Sequence, residues 1–220
     1  MDNIVIVGSS GHSKVVLDII NKLGKYNVVG FIDKFRKVGE STNNIDVIGS
    51  EDDLPKLIQQ YNVKGCFVAI GDNFTRKKVV ENIKAISPDL NFINAIHPNA
   101  VISEFVEIGE GSVVMAGAVI NASANIGKFC IINTNSSVDH DCNILDFVSL
   151  SPNVALGGSC IINEASSVGI GATVIHNIRI GRNSVIGAGA LVLNDIGNNV
   201  VCYGSPAKII RTRSDDQKYL

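Results

Sequence analysis

His140 stands between two carboxylates in the run Val138-Asp-His-Asp-Cys-Asn143, an arrangement suited to moving a proton. An imidazole titrates near neutrality, and a neighbouring acid can orient it and make it more basic. Asp139 and Asp141 are the acids on hand, although an exposed histidine between two acids also describes an ordinary solvated surface. A second constellation is Gly8-Ser-Ser-Gly11-His12, placed between an apolar run and an amphipathic stretch. Glycines there allow close approach of backbone, and a helix N-terminus favours a phosphate; a tight strand-to-helix turn would account for the same glycines with no ligand. Asp33, ending a second apolar run, is placed where an acid can hold a ribose or base edge. The five cysteines, Cys66, Cys130, Cys142, Cys160 and Cys202, contain no C-x-x-C pair. No zinc ribbon or redox dithiol is indicated, and no metal is expected.

The elements that must hold these residues follow from composition and period. The chain has 220 residues with 45% hydrophobic and 18% charged side chains, enough to bury a core and too apolar for disorder. Nineteen Lys and Arg face 21 Asp and Glu, so the net charge of −2 offers no general surface for nucleic acid. The sequence holds no apolar run long enough to span a bilayer, and its start, Met-Asp-Asn-Ile-Val-Ile-Val, reads as a strand rather than a signal peptide. A cytoplasmic location is expected. Ile and Val number 56 against 11 Leu, a β-branched excess that favours strands.

Two periodicities divide the chain. Over residues 1–95, apolar runs at Ile4–Val7, Asn27–Ile32, Cys66–Ile70 and Phe92–Ile96 alternate with helical patterns at His12–Leu23, 51–60 and Arg76–Ile86. The stripe of the first helix is read as Val15, Val16, Ile19, Ile20 and Leu23. Such alternation implies an α/β, Rossmann-like unit with a small parallel sheet. From Ile96 to Val192 every sixth residue is aliphatic, 17 positions out of 17, and four residues after each one the side chain is Ala, Ser or Cys in 12 cases. A hexad repeat is the mark of a parallel β-helix over residues 96–220, three hexads closing one triangular coil. In that frame positions one and five point inward, placing Cys130, Cys142 and Cys160 in the core as small structural thiols. His140, at position three, points out. His176 repeats its phase two coils on, at roughly 10 Å if coils are spaced like paired strands; lacking an adjacent acid, it is read as structural and outside the site.

The hexad array, followed by Tyr203-Gly-Ser-Pro-Ala-Lys208, resembles the left-handed β-helix acyltransferases that use acyl-coenzyme A. With Ile6-Val-Gly-Ser-Ser-Gly-His-Ser-Lys14, Phe31-Ile-Asp33, Ala69-Ile-Gly-Asp-Asn73 with Arg76, and Asn133-Thr-Asn-Ser-Ser-Val-Asp-His-Asp-Cys142, the resemblance narrows. It points to the bacterial nucleotide-sugar 4-amino N-acetyltransferases and their relatives the sialic acid O-acetyltransferases. The resemblance implies the left hand of the helix, and His140 and Asp141 as catalytic base and orienter. It implies a nucleotide sugar held by Ser10, Gly11, His12, Asp33 and Gly71. Acetyl-CoA would lie between neighbouring subunits of a homotrimer, near Ser149, Gly158, Ile170 and Ala188, with Lys208, Arg211 and Arg213 placed for its phosphates. The chemistry would be direct attack of a sugar amine on the thioester, with a base taking the amine proton. Sialic acid O-acetylation would use the same base on a hydroxyl. A nicotinamide-dependent oxidoreductase is disfavoured by the incomplete glycine fingerprint, and a noncatalytic sugar-nucleotide scaffold by the His140-Asp141 pair.

Overall fold

The computed structural model describes residues 1–214, 216 and 217. Two compact units result, one of Met1–Gly71 with Thr75–Pro98, the other of Asp72–Phe74 with Asn99–Leu220. Three residues of the first periodic region, Asp72–Phe74, group with the second unit.

The first unit contains β1 (Asp2–Val7), α1 (Gly11–Leu23), β2 (Tyr26–Ile32), β3 (Ser41–Thr42), β4 (Ile45–Gly49), α2 (Leu54–Tyr61), β5 (Val63–Val68), α3 (Asn73–Ile86) from Thr75 onward, and β6 (Asn91–Phe92). The sheet order is β3-β4-β2-β1-β5-β6, parallel except for the β3–β4 hairpin. β1, at the centre, is buried from Ile4 to Val7, as a strand covered on both faces must be. Gly8 turns the chain out of β1 with φ +92, and a Cβ there would lie 3.1 Å from the Ala69 carbonyl oxygen, so both conformation and space require glycine. α1 buries Val16, Leu17, Ile19 and Ile20, while Val15 is 43% exposed. The true stripe therefore runs through Leu17 rather than Val15. Gly24, left-handed at φ 63, ends the helix. The hairpin was hidden in the sequence because its strands are short; its signal is Asn43-Asn44, both with positive φ (48 and 63), as a two-residue hairpin turn needs. α2 is preceded by a 3-10 turn, Glu51–Asp53, closed by reciprocal capping between Ser50 and Asp53.

In the second unit each hexad forms one two-residue strand ending on its aliphatic residue, for example Ser137–Val138, Asn143–Ile144 and Ser149–Leu150. Each pairs in parallel with the strand one coil on: Ser137 with Ala155, Asn143 with Ile161, Ser149 with Ser167. Three sheets thus form the sides of a prism with the aliphatic residues stacked inside. Every sixth residue from Phe105 to Gly189 has positive φ, so each corner turns at the fourth hexad position. Asn, Asp and Gly tolerate that conformation best. Where phenylalanine occupies it, as at Phe129 and Phe147, the rings stack with centroids 5.1 Å apart and are buried.

The fifth hexad position is more than small. The Sγ of Cys130 donates to the Leu145 carbonyl at 3.1 Å, Cys142 to Gly157 at 3.2 Å and Cys160 to Ile175 at 3.1 Å. Ser112 and Ser166 make the equivalent bonds to Gly127 and Gly181. Serine and cysteine recur there because a short donor reaches a corner carbonyl of the next coil that would otherwise be buried unpaired. All five cysteines are free and buried. The neighbouring Cys160 thiol together with burial pushes the Cys142 thiol up, and burial does the same to Cys66.

Candidate active site

His140 lies in the corner between strands Ser137–Val138 and Asn143–Ile144, with Val138 and Cys142 buried on either side. In an extended strand adjacent side chains point to opposite faces. Here Asp141 occupies the corner conformation, φ 58, and its carboxylate turns back onto its neighbour: Asp141 Oδ2 is 2.7 Å from His140 Nδ1. With Nδ1–H donating to the carboxylate, the neutral ring carries its lone pair on Nε2. Asp139 serves differently. Its Oδ1 accepts the His140 backbone N–H at 2.8 Å and the Asn121 amide of the preceding coil at 3.0 Å. The Asp141 hydrogen bond, with the Asp139 charge second, holds the imidazole above its ordinary pKa. Side chains of His140 and Asp141 are 59% and 60% exposed, so the pair faces outward as the hexad frame requires.

The imidazole opens onto a cleft of about 410 Å³ whose floor is Gly157-Gly158-Ser159 and whose far wall is His176-Asn177. This corrects the reading of His176 as lying outside the site: it shares the cleft with His140. The fourth-position residue after it is Asn177, so no adjacent carboxylate orients its ring.

The residues expected at the coenzyme fall on different parts of the prism. Gly158 is in the His140 cleft. Ile170, 58% exposed, and Ala188, also exposed, share another edge, between strands Ser167–Val168 and Thr173–Val174 and between Val185–Ile186 and Leu191–Val192. Among the described residues the outward amides of Gly158, Ile170 and Ala188 donate to no protein group. Ser149 is not available in the same way. It is 5% exposed and its hydroxyl donates to Asn73 Oδ1 at 2.6 Å, while the Asn73 amide donates to the carbonyls of Ala165 and Ser166. Lys208 opens an exposed strand, Lys208–Thr212, paired antiparallel with Val200–Tyr203. Lys208 and Arg211 are both exposed, Arg211 donating to Gln217 at 2.8 Å, whereas Arg213 is only 9% exposed.

In the first unit, Ser10 and Gly11 line an open polar pocket of about 340 Å³ with Ser9, Lys14 and Arg36. The β3–β4 hairpin supplies its other wall through Ser41, Thr42 and Asn43. Ser10 precedes α1 without a side-chain cap, and the first turn holds no acid. Arg36 is spread between Glu40, Thr42 and the Ser9 and Ser41 carbonyls, whereas Lys14 makes no ion pair or hydrogen bond among the described residues. The other three expected contacts differ. Asp33 accepts four hydrogen bonds from the protein, Ser9 N–H and O–H on Oδ2 and Phe35 and Arg36 N–H on Oδ1. Against the opposing effect of burial, these bonds together hold its carboxyl below the ordinary value. A carboxylate offers about four acceptor sites, so Asp33 has none left for a ribose and acts by shaping the loop. His12 presents a buried Nε2 with no partner, and burial, then the charge of Arg76, pushes its pKa down to about 4. The Gly71 carbonyl accepts from the buried Arg76 at 2.9 Å, and Gly71 does not line the pocket. Sequence reading missed Arg36 and the hairpin residues because 33–49 resembles loop; Lys14 was already part of the quoted motif.

Comparison with known proteins supplies the remaining context. The PglD N-terminal domain family matches residues 3–83. A UDP-N-acetylbacillosamine N-acetyltransferase of Bacillus subtilis is 38% identical over 116 residues, 53% of this chain and 52% of that one, so the match spans about half the length of that curated relative. A histidine-to-asparagine variant of perosamine N-acetyltransferase from Caulobacter crescentus, solved with CoA and GDP-perosamine, is 38% identical with a TM-score of 0.89, covering 95% of this chain and 97% of its own. The acetyltransferase domain of PglB from Neisseria gonorrhoeae, solved with acetyl coenzyme A, is 36% identical with a TM-score of 0.88, covering 94% and 98%. A Rossmann-like unit followed by a left-handed β-helix is the architecture shared with these structures. This chain belongs to the bacterial nucleotide-sugar N-acetyltransferase family.

Proposed function

We propose that this chain transfers the acetyl group of acetyl-CoA to the 4-amino group of a sugar linked to UDP, dTDP or GDP, with His140 as general base and Asp141 as its orienter. The observation that carries the reading is the 2.7 Å His140–Asp141 pair at the mouth of an open cleft on the β-helix. Acetyl-CoA, when bound, supplies an acetyl group already activated as a thioester. His140 Nε2 accepts the proton that the attacking amine must lose, while Asp141 keeps Nδ1–H in place and stabilises the imidazolium that forms. The α1 pocket suits the diphosphate: it combines the positive end of a helix with Lys14 and Arg36 and has no carboxylate in its lining. Free turn amides at Gly158, Ile170 and Ala188 suit the coenzyme's carbonyls, and Lys208 its phosphates.

Gly158 and the pair Ile170 and Ala188 occupy different edges of one prism, so a coenzyme touching all three needs the edge of a second copy beside the first. A homotrimer provides that at each of three interfaces, and full activity in a species that sediments as a monomer would contradict it. Five buried free thiols suit the reduced cytoplasm. Among the described residues no helix is long and apolar enough to cross a membrane. The test of function is incubation with acetyl-CoA and a panel of UDP-, dTDP- and GDP-linked 4-amino-sugars, followed by mass spectrometry. The reading requires a mass gain of one acetyl group on at least one amine, with release of free CoA. Acetylation of sialic acid hydroxyls alone would replace it.

A further inference from the structure

Glycine recurs in the β-helix for two separate reasons. At the second hexad position, Gly109, Gly127, Gly157, Gly169 and Gly181 each face the backbone of the next coil, where a Cβ would come within 2.8 Å of main-chain atoms. Those glycines let coils stack. At the third position, from Pro98 to Asn194, Gly158 alone is glycine. Its φ lies outside the left-handed region, so any residue could adopt its backbone, and the nearest atoms a Cβ there would meet all belong to the His140 ring, 2.7 Å away for both Cε1 and Nε2. The backbone around it is pinned. Gly157 N–H donates to the Val174 carbonyl at 2.9 Å and Ser159 N–H to the His140 carbonyl at 2.9 Å. Cys142 holds the Gly157 carbonyl from the core side at 3.2 Å. An added methyl group therefore cannot be absorbed by the coil, and the ring must yield.

We infer that Gly158 is a positioning residue for the reaction: its missing side chain provides the space in which the His140 ring leans over the next coil while keeping its hydrogen bond to Asp141. This rests on His140 being the base. The inference assigns Gly158 a role apart from any contact between its amide and the coenzyme, because alanine retains the amide and fills the space.

Gly158→Ala separates the two. The variant folds, since the clash is with a side-chain end, and its kcat on the 4-amino nucleotide sugar that the wild type acetylates falls tenfold or more, with KM for acetyl-CoA within twofold of wild type. An NMR titration of His140, which needs no substrate, shows its midpoint moved down toward that of an ordinary imidazole. In a His140→Asn background the same substitution costs nothing further, as a residue acting through the ring requires. Unchanged kcat and titration would overturn the inference, as would an equal loss in the His140→Asn background. A raised KM for acetyl-CoA at unchanged kcat would assign Gly158 to the coenzyme alone. Should Gly158→Ala fail to fold, pairing it with His140→Ala must restore folding, and an unfolded pair would refute the steric argument. Failure of the base reading looks different: His140→Asn would turn over normally while the titration shift in Gly158→Ala persisted.

Discussion

Two histidines, one in each unit, are driven in opposite directions by their surroundings. His12 enters α1 beside the buried Arg76, and burial followed by that charge pushes its pKa down to about 4. It is a neutral ring at physiological pH. His140 sits on an open corner, where the Asp141 hydrogen bond and then the Asp139 charge raise its pKa. The difference lies in what the backbone brings to each ring: a helix start with no acid in its first turn in one case, a corner residue whose left-handed conformation folds a carboxylate back in the other. His176 refines the comparison, since it shares the cleft and the phase of His140 but is followed by Asn177. On the proposed reading, the residue in the corner slot, rather than the histidine alone, decides which ring can act as the base.

The largest effect should come from removing the proposed base. His140→Asn keeps polarity and approximate size and should lower kcat roughly 100- to 10,000-fold, with dissociation constants for both substrates little changed in calorimetry. On the other side of the comparison, protonating His12 is disfavoured in the folded protein, so the unfolded chain binds more protons as pH falls from 6.5 toward 4. Stability is complete above the unfolded value and is lost on acidification. Urea titrations should show about 2 kcal/mol lost between pH 8 and 5 in wild type and absent from His12→Asn, a population change of about thirtyfold. Identical pH dependence in the two proteins would remove His12 from the account. Asp141→Asn should be milder, about tenfold in kcat, and should carry a signature: the acid limb of the rate profile moves to lower pH because the charge that raised the imidazole is gone. A limb that stays in place would mean Asp141 does not set His140 basicity. Smallest is His176→Asn, under about threefold in kcat, since an unoriented imidazole on the far wall contributes none of the proton transfer; damage exceeding that of Asp141→Asn would move the base across the cleft.

The β-helix was almost wholly legible because its period is a property of single residues: each aliphatic residue of the hexad frame ends a strand, and each coil repeats the same inward pattern. His140 and its outward direction came from that frame. The donor role of Cys142 did not, because the partner is a carbonyl 15 residues away, and a thiol that fills space and one that also donates look alike in sequence. His176 was misplaced for a related reason. Phase told that it shares a face with His140, but not that one cleft, lined by Gly157, Gly158 and Ser159, joins the two rings. In the first unit the alternation of strands and helices survived, while Asp33 was read as a ligand contact. Its four bonds come from Ser9, Phe35 and Arg36, and side-chain saturation depends on loop geometry that no spacing reveals. Ser149 shows the same limit, since its partner Asn73 lies 76 residues away.

The central claim is that the ring of His140 is the group whose deprotonation permits acetyl transfer. The direct measurement is an NMR titration of the His140 imidazole in the folded protein, set against the pH dependence of kcat/KM for the nucleotide sugar at saturating acetyl-CoA. The account predicts a midpoint above the ordinary imidazole value that coincides with the acid limb of the rate profile, both moving down together in Asp141→Asn. A rate profile whose limb is independent of the His140 titration, or a limb that persists unchanged in the residual activity of His140→Asn, would contradict it.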